Sequence, residues 1–243
     1  MLLLVGGMGT RLRPILSGKP KPLAPIGDVP FLELLVLQLR SQGLRRLVMC
    51  TGFQADQIQQ EFGDGRKWNV TIDYSEETRP LGTAGAIKLA ERFLSSASEF
   101  VVVNGDSFLE LDFRELIRFH EEHHGQATIA VRQVPDATRY GTVHVDGQNR
   151  VVRFGEKMGI QEPGVVNGGV YVFNREILGH IPDGTSSLEK DVLPVVLKHG
   201  VFALEQNGAF IDIGTPEDYA RAQALLHGLS QAALSDSPIG SQK

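Results

Sequence analysis

From Gly6 onward the chain carries three closely spaced glycines, Gly6, Gly7 and Gly9, followed by Thr10, Arg11, Arg13, Lys19 and Lys21, with prolines at positions 14, 20, 22 and 25. Glycine lets backbone approach a ligand closely, and the prolines limit how far the segment can collapse into helix or sheet. The cations therefore stand on a stiffened loop, which suits a polyanion such as a nucleoside triphosphate. Two aspartates, Asp106 in VVVNGD and Asp212 in FIDIGTPED, each follow a short apolar run. A single aspartate at a strand end is an ordinary turn residue, but two beside a phosphate-binding loop could share a magnesium ion, whose remaining ligands would be phosphate oxygens.

The glycine loop fits neither common phosphate-binding pattern. Leu12 occupies the position where the dinucleotide fingerprint needs its third glycine, and no Gly-Lys-Ser/Thr follows. Further on, Gly82, Thr83 and Gly85 lie in YSEETRPLGTAGAI. These glycines would let a base and ribose rest against backbone at a helix N-terminus. His120, His123 and His124 could in principle clasp a metal from one helical face, although a polar helix end explains them more simply.

The elements that must position these residues alternate. Residues 1–5 read as a buried strand, 31–42 as a helix, 46–51 as a strand, 55–62 as a helix, 70–74 as a strand, 83–94 as a helix and 100–104 as a strand. Alternating strands and helices predict a mainly parallel sheet with helices on both faces, which binds ligands at the carboxyl ends of its strands. The glycine loop, residues 75–83 and Asp106 all fall at such ends. After a helix over 112–124 the rhythm changes to strands at 127–131, 141–145, 151–154 and 165–173, which predict antiparallel additions walling off an acceptor side. Helices are expected over 175–181 and 187–199, the second interrupted by Pro194, and strands over 201–205 and 209–213. Thr215-Pro216-Glu217-Asp218 is a strong helix start, with a capping threonine, a first-turn proline and two acids. Residues 1–227 are expected to form one domain, and 228–243, small and polar, a flexible tail.

GGMGTRLRP followed by KPLAPIG resembles the N-terminal signature of the sugar-1-phosphate nucleotidyltransferases, and the resemblance extends over about residues 1–225. It implies a Rossmann-like, three-layer, mainly parallel α/β sheet of the nucleotide-diphospho-sugar transferase, GT-A-like type. It also implies that Gly6, Gly7, Gly9, Thr10 and Arg11 hold the triphosphate, that Lys21 faces the reacting phosphate, and that Asp106 and Asp212 bind Mg2+. In the resembled family the base is read just upstream of the turn that includes Gly82 and Thr83. Glu77 stands where thymidylyl and uridylyl members often have glutamine. A carboxylate offers two acceptors to the paired N1–H and N2–H donors of guanine, so the sequence leans towards GTP. Tyr140-Gly141, Glu156-Lys157 and Val166-Asn167-Gly168 resemble the sugar-phosphate motifs, in which Tyr140, Gly141, Glu156 and Asn167 would hold the sugar and Lys157 its phosphate.

DVPFLELLVLQLRSQG, PLGTAGAIKLA, NGDSF and RYGTV resemble the short bacterial heptose-1-phosphate guanylyltransferases. Mannose-1-phosphate guanylyltransfer, muramate-1-phosphate uridylyltransfer and a non-catalytic subunit that senses nucleotide sugars stay open. The last would be expected to lose charged site residues, whereas Arg11, Lys21, Asp106, Lys157 and Asp212 are all present. Val5 departs from the family, which mostly has alanine there. A net charge of -5 over 243 residues argues against general nucleic-acid binding, and the single cysteine, Cys50, against a disulfide framework. No apolar run reaches membrane-spanning length, so the expectation is a cytoplasmic enzyme, with helix faces compatible with a homodimer.

Overall fold

The apolar runs that end in glycine become parallel strands of one sheet in the computed structural model, which describes residues 1–16, 18–155 and 161–236. Strand β1 (Leu2–Leu4) leads into the glycine loop, which makes two short 3-10 turns before a tiny hairpin of β2 (Pro25–Ile26) and β3 (Val29–Pro30). Helix α1 (Phe31–Ser41), β4 (Arg46–Thr51), α2 (Ala55–Phe62), β5 (Thr71–Glu76), α3 (Gly82–Leu89) and β6 (Glu99–Asn104) follow in alternation. β1 pairs in parallel with both β4 and β6, and β4 in parallel with β5.

The second half of the chain adds the antiparallel part. After β7 (Ser107–Leu109) and α4 (Phe113–His123) come β8 (Ala127–Val134), β9 (Thr142–Val145), β10 (Val151–Gly155) and the long β11 (Gly164–Asn174). β11 runs antiparallel to β6, β8 and β9, with a register shift between Asn167 and Val170 where it faces β8. The expected helix over 187–199 is broken into a π-turn at Leu188–Val192, a short α5 (Leu193–Val196) and a 3-10 turn. Pro194 cannot donate within a regular helix, which accounts for the break. β12 (Val201–Glu205) pairs with β8, and β13 (Phe210–Asp212) pairs with β7 away from the main sheet. Helices α6 (Pro216–Leu225) and α7 (His227–Asp236) end the described chain.

Side-chain alternation along the strands builds two cores. Leu3, Val103 and Val170 point to the layer of α1 and α4, where Phe31, Leu35 and Leu116 are buried. Leu2, Val102 and Tyr171 point to the other layer, against Ala84 and Ile87 of α3 and Leu188 and Val192 beyond it. This is the three-layer, mainly parallel α/β arrangement with antiparallel additions that the sequence predicts.

Residues 228–236, expected as the start of a flexible tail, instead form most of α7. Ser230 and Ala233 are buried, and the helix packs on α1, α6 and β3. Small side chains here permit close approach rather than looseness: a Cβ on Gly27 would come within 3.2 Å of Ser230 Oγ. The histidines of α4 also have ordinary roles. His120 is buried between Thr128 and Asn174, and His123 stacks on Phe119 with ring centroids 3.9 Å apart.

Candidate active site

The carboxyl ends of β1, β4, β5 and β6 open into a cavity of about 590 Å³. Gly6, Gly7, Gly9, Thr10, Arg11, Lys21, Glu77, Gly82, Thr83 and Asp106 all line it, so the residues read from sequence as nucleotide-binding converge there. Local geometry fixes the loop. Gly9 has φ +55, and a Cβ there would come within 2.8 Å of Lys21 Cβ, so glycine lets the two arms of the loop close on each other. At its far end the loop is clamped by α6: Tyr219 Oη and Gln223 Nε2 both donate to the Pro25 carbonyl, each at 2.6 Å.

The two aspartates meet although 105 residues separate Ser107 from Asp212. The ribbon of β7 and β13 places Ser107 directly opposite Asp212, and Ser107 Oγ lies 3.4 Å from Asp106 Oδ1 and 3.3 Å from Asp212 Oδ2. Lys21 Nζ donates to Asp106 Oδ2 at 2.7 Å with only 10% of its side chain exposed, against 40% for Asp106. Gly214 N donates to Asp212 Oδ1 at 2.6 Å. Burial, and then the neighbouring Asp106 charge, push the Asp212 carboxyl above its ordinary range, while Lys21 and the Gly214 N–H oppose them. Two repelling acids, joined among the described residues by no third acid, histidine or cysteine, form a donor set suited to a hard cation that completes its shell with phosphate oxygens and water.

Glu77 lines the cavity too. Leu81 N donates to its Oε2 at 3.0 Å, and a Cβ on Gly52 would come within 2.6 Å of its Oε1. Burial raises the Glu77 carboxyl and the Leu81 N–H lowers it. Thr83 lines the cavity, but its hydroxyl is engaged by Leu188 N, which donates at 2.7 Å, and by Glu189 Oε2 at 3.2 Å. Arg11 is exposed on the rim.

Among the residues expected from the sequence to hold the acceptor, the Tyr140 ring centroid lies 6.0 Å from that of Phe210 on β13, and its phenol is raised by burial and then by Asp218 and Asp212. Arg139 donates to the buried Asp218 at 2.5 Å and to Thr215 Oγ1 at 3.0 Å, tying the Tyr140 loop to the start of α6. Gly141 sits against Gly155, where a Cβ would come 3.2 Å from the Gly155 carbonyl. Asn167 is on β11, with its amide nitrogen donating to Tyr171 Oη at 2.7 Å. Glu156 and Lys157 lie outside the described residues.

Sequence reasoning missed Gly52, Asn104 and Gly214, which line the cavity, together with Ser107 and Glu189. Gly52 carried a usable signal, since it too is a glycine immediately after an apolar strand. Ser107 carried none beyond adjacency to Asp106.

Residues 1–228 match the family described as Nucleotidyl transferase. The chain is 38% identical over 227 residues to D-glycero-alpha-D-manno-heptose 1-phosphate guanylyltransferase of Aneurinibacillus thermoaerophilus, covering 93% of this chain and 97% of that protein. It is 35% identical to the mannose-1-phosphate guanylyltransferase catalytic subunit beta of Drosophila melanogaster, where the alignment takes in 92% of this chain but spans only 62% of the relative. Among solved structures, HddC from Yersinia pseudotuberculosis complexed with GMP-PN superposes with a TM-score of 0.82 at 35% identity, covering 92% of this chain and 97% of that one. With the glycine loop, the paired aspartates and the sheet that carries them all in the arrangement its sequence motifs imply, the chain belongs to the nucleotidyl transferase family.

Proposed function

We propose that the chain transfers GMP from GTP to a sugar 1-phosphate, D-glycero-α-D-manno-heptose 1-phosphate, releasing pyrophosphate and GDP-heptose. The observation that carries this reading is the meeting of Lys21, Asp106 and Asp212 at the edge of a cavity floored by the glycine loop. GTP is supported by the Glu77 carboxylate in that cavity and by the guanylyltransferase names of both relatives. Heptose is supported by the heptose-1-phosphate relative, which this chain matches over nearly its whole length.

In the reaction a phosphate oxygen of the sugar ester attacks the α-phosphorus of GTP. The new O–P bond forms as the bond to the bridging pyrophosphate oxygen breaks, and the electron pair leaves with pyrophosphate. The nucleophile is already anionic, so positioning and charge neutralisation dominate over proton transfer. Lys21, fixed by Asp106, faces the α-phosphate, Arg11 on the rim meets the departing pyrophosphate, and Lys157 holds the attacking phosphate. Asp106 and Asp212 would hold Mg2+, which supplies Lewis-acid neutralisation of the α-phosphate when bound. Gly6, Gly7, Gly9 and Thr10 offer backbone to the triphosphate, and Gly82 and Thr83 border the nucleoside. Tyr140, Gly141, Glu156 and Asn167 hold the sugar. No helix among the described residues is long and apolar enough to cross a membrane. The proposed place of the reaction is the cytoplasm.

Pyrophosphate release is measured across GTP, UTP, dTTP and ATP against heptose, mannose, glucose and muramate 1-phosphates, with magnesium. The expected outcome is release only when a sugar 1-phosphate is present, greatest for GTP with the heptose ester. Greatest release with mannose 1-phosphate replaces the acceptor, and no release in any combination refutes the reaction.

A further inference from the structure

We propose that Glu189 is a positioning residue for the acceptor: its carboxylate fixes the Tyr171 hydroxyl, and that hydroxyl orients the Asn167 amide towards the sugar. The inference rests on the reading above for what Asn167 is held to do. Tyr171 is fully buried on β11, with its ring stacked 5.4 Å from that of Phe173, so the ring is set by the core and only the hydroxyl rotor remains to be fixed. Asn167 Nδ2 donates to that hydroxyl at 2.7 Å. The hydroxyl is buried with its ring, so its proton needs an acceptor within the protein, and Glu189 Oε1 supplies one at 3.1 Å.

Glu189 is itself held from its other side. Its Oε2 accepts from Ser187 Oγ at 3.1 Å and from Thr83 Oγ1 at 3.2 Å, and Ser187 and Glu189 flank the start of the π-turn at Leu188–Val192. π-turns concentrate at functional sites because they are otherwise costly. Asn167 has its carbonyl oxygen bonded by Gly169 N at 2.9 Å, in the stretch where β11 shifts register against β8. With one amide hydrogen on Tyr171 and one lone pair on Gly169 N–H, the Asn167 side chain retains one donor and one acceptor in a fixed orientation, which is what a pair of vicinal sugar hydroxyls requires. The same carboxylate thus joins Thr83, on the nucleotide side, to Asn167, on the acceptor side. A neutral scaffold would need no charged acceptor shared by three hydroxyls, those of Tyr171, Ser187 and Thr83.

The test is steady-state kinetics with GTP and the sugar 1-phosphate on the wild type, Tyr171→Phe, Glu189→Ala, Glu189→Gln and the Tyr171→Phe/Glu189→Ala double variant, with thermal unfolding in parallel. Tyr171→Phe keeps the ring in the core and removes only the hydroxyl. It should raise KM for the sugar phosphate about tenfold while leaving KM for GTP within about twofold, the size of one lost charge-assisted hydrogen bond acting on one substrate. Glu189→Ala should raise the acceptor KM similarly, and the double variant should be no worse than the poorer single, because both lie on one path. Glu189→Gln, which keeps an acceptor for Tyr171, should recover most of the loss. Equal KM increases for both substrates, additive single effects, or a fall in melting temperature with both KM values unchanged would overturn the inference alone. A wild type that releases no pyrophosphate with any sugar 1-phosphate overturns the reaction and the inference together.

Discussion

Replacing Asp212 with asparagine separates what the carboxylate pair does to the fold from what it does for the reaction. Through Ser107 Oγ, 3.4 Å from Asp106 Oδ1 and 3.3 Å from Asp212 Oδ2, the two carboxylate oxygens stand at most ~6.7 Å apart. Two negative charges at that separation repel by about 2–3 kcal/mol at an effective dielectric of ~20. Lys21, 2.7 Å from Asp106, offsets part of this. The net relief on removing one charge is about 1–2 kcal/mol, in the range by which active-site residues commonly reduce stability for the sake of function. Asparagine keeps an oxygen for the Gly214 N–H and can turn its amide to Ser107, so little is lost in exchange. For a chain of this length the melting temperature at neutral pH in EDTA should rise by about 2–8 °C. Added magnesium should stabilise the wild type more than the variant and so narrow the gap, because only the wild type keeps both carboxylates. Differential scanning calorimetry in EDTA and then in magnesium is the assay. A variant that melts at or below the wild-type temperature in EDTA would refute the reasoning that the two charges oppose each other across Ser107.

Gly52→Ala places a Cβ within 2.6 Å of Glu77 Oε1, so the carboxylate must leave its position. KM for GTP should rise at least about tenfold, equivalent to roughly 1.4 kcal/mol, and an unchanged KM would remove Glu77 from base recognition. His120 is held neutral, its pKa lowered first by burial, with Asn174 and Glu121 opposing. A group depressed in the fold contributes stability that is present above its ordinary value near 6.5 and is lost as pH falls towards the lowered one. The melting temperature should therefore fall between about pH 6.5 and 5 more steeply in the wild type than in His120→Gln, and parallel slopes would contradict this. Arg139→Ala leaves the buried Asp218 with Arg221, 3.3 Å away, as its remaining cationic partner beside the Thr215 hydroxyl. Because Arg139 is half exposed, the loss should be about 1 kcal/mol, a fall of about 2–4 °C on thermal unfolding, and KM for the sugar phosphate should rise through the adjoining Tyr140.

The parallel half of the fold was legible because each strand there is a short apolar run closed by a turn signal, and Gly6, Gly52 and Gly105 all mark strand ends that open on the cavity. The pairing of Asp106 with Asp212 was legible only as chemistry. The ribbon that brings them together has three residues per strand and joins segments about a hundred positions apart, below what periodicity can register. Residues 228–236 were misread because small residues signal looseness in a tail and tight packing in a helix equally well. Contacts with Gly27 and α1 decide between them. Thr83 shows a third limit. Its place at the start of α3 is visible in the sequence, whereas the engagement of its hydroxyl by Leu188 N–H and Glu189 depends on a π-turn more than a hundred residues away.

In the proposed reaction Asp106, Asp212 and Lys21 together neutralise a triphosphate under attack. Single-turnover transfer of radiolabelled GMP from GTP to the sugar 1-phosphate, followed in Asp106→Ala at saturating magnesium and substrates, tests it most directly. The loss of a carboxylate that fixes Lys21 and that the proposed reaction also uses to hold Mg2+ should raise the barrier by about 4–6 kcal/mol, a rate about three to four orders of magnitude below wild type. Transfer within about tenfold of the wild-type rate would contradict the account.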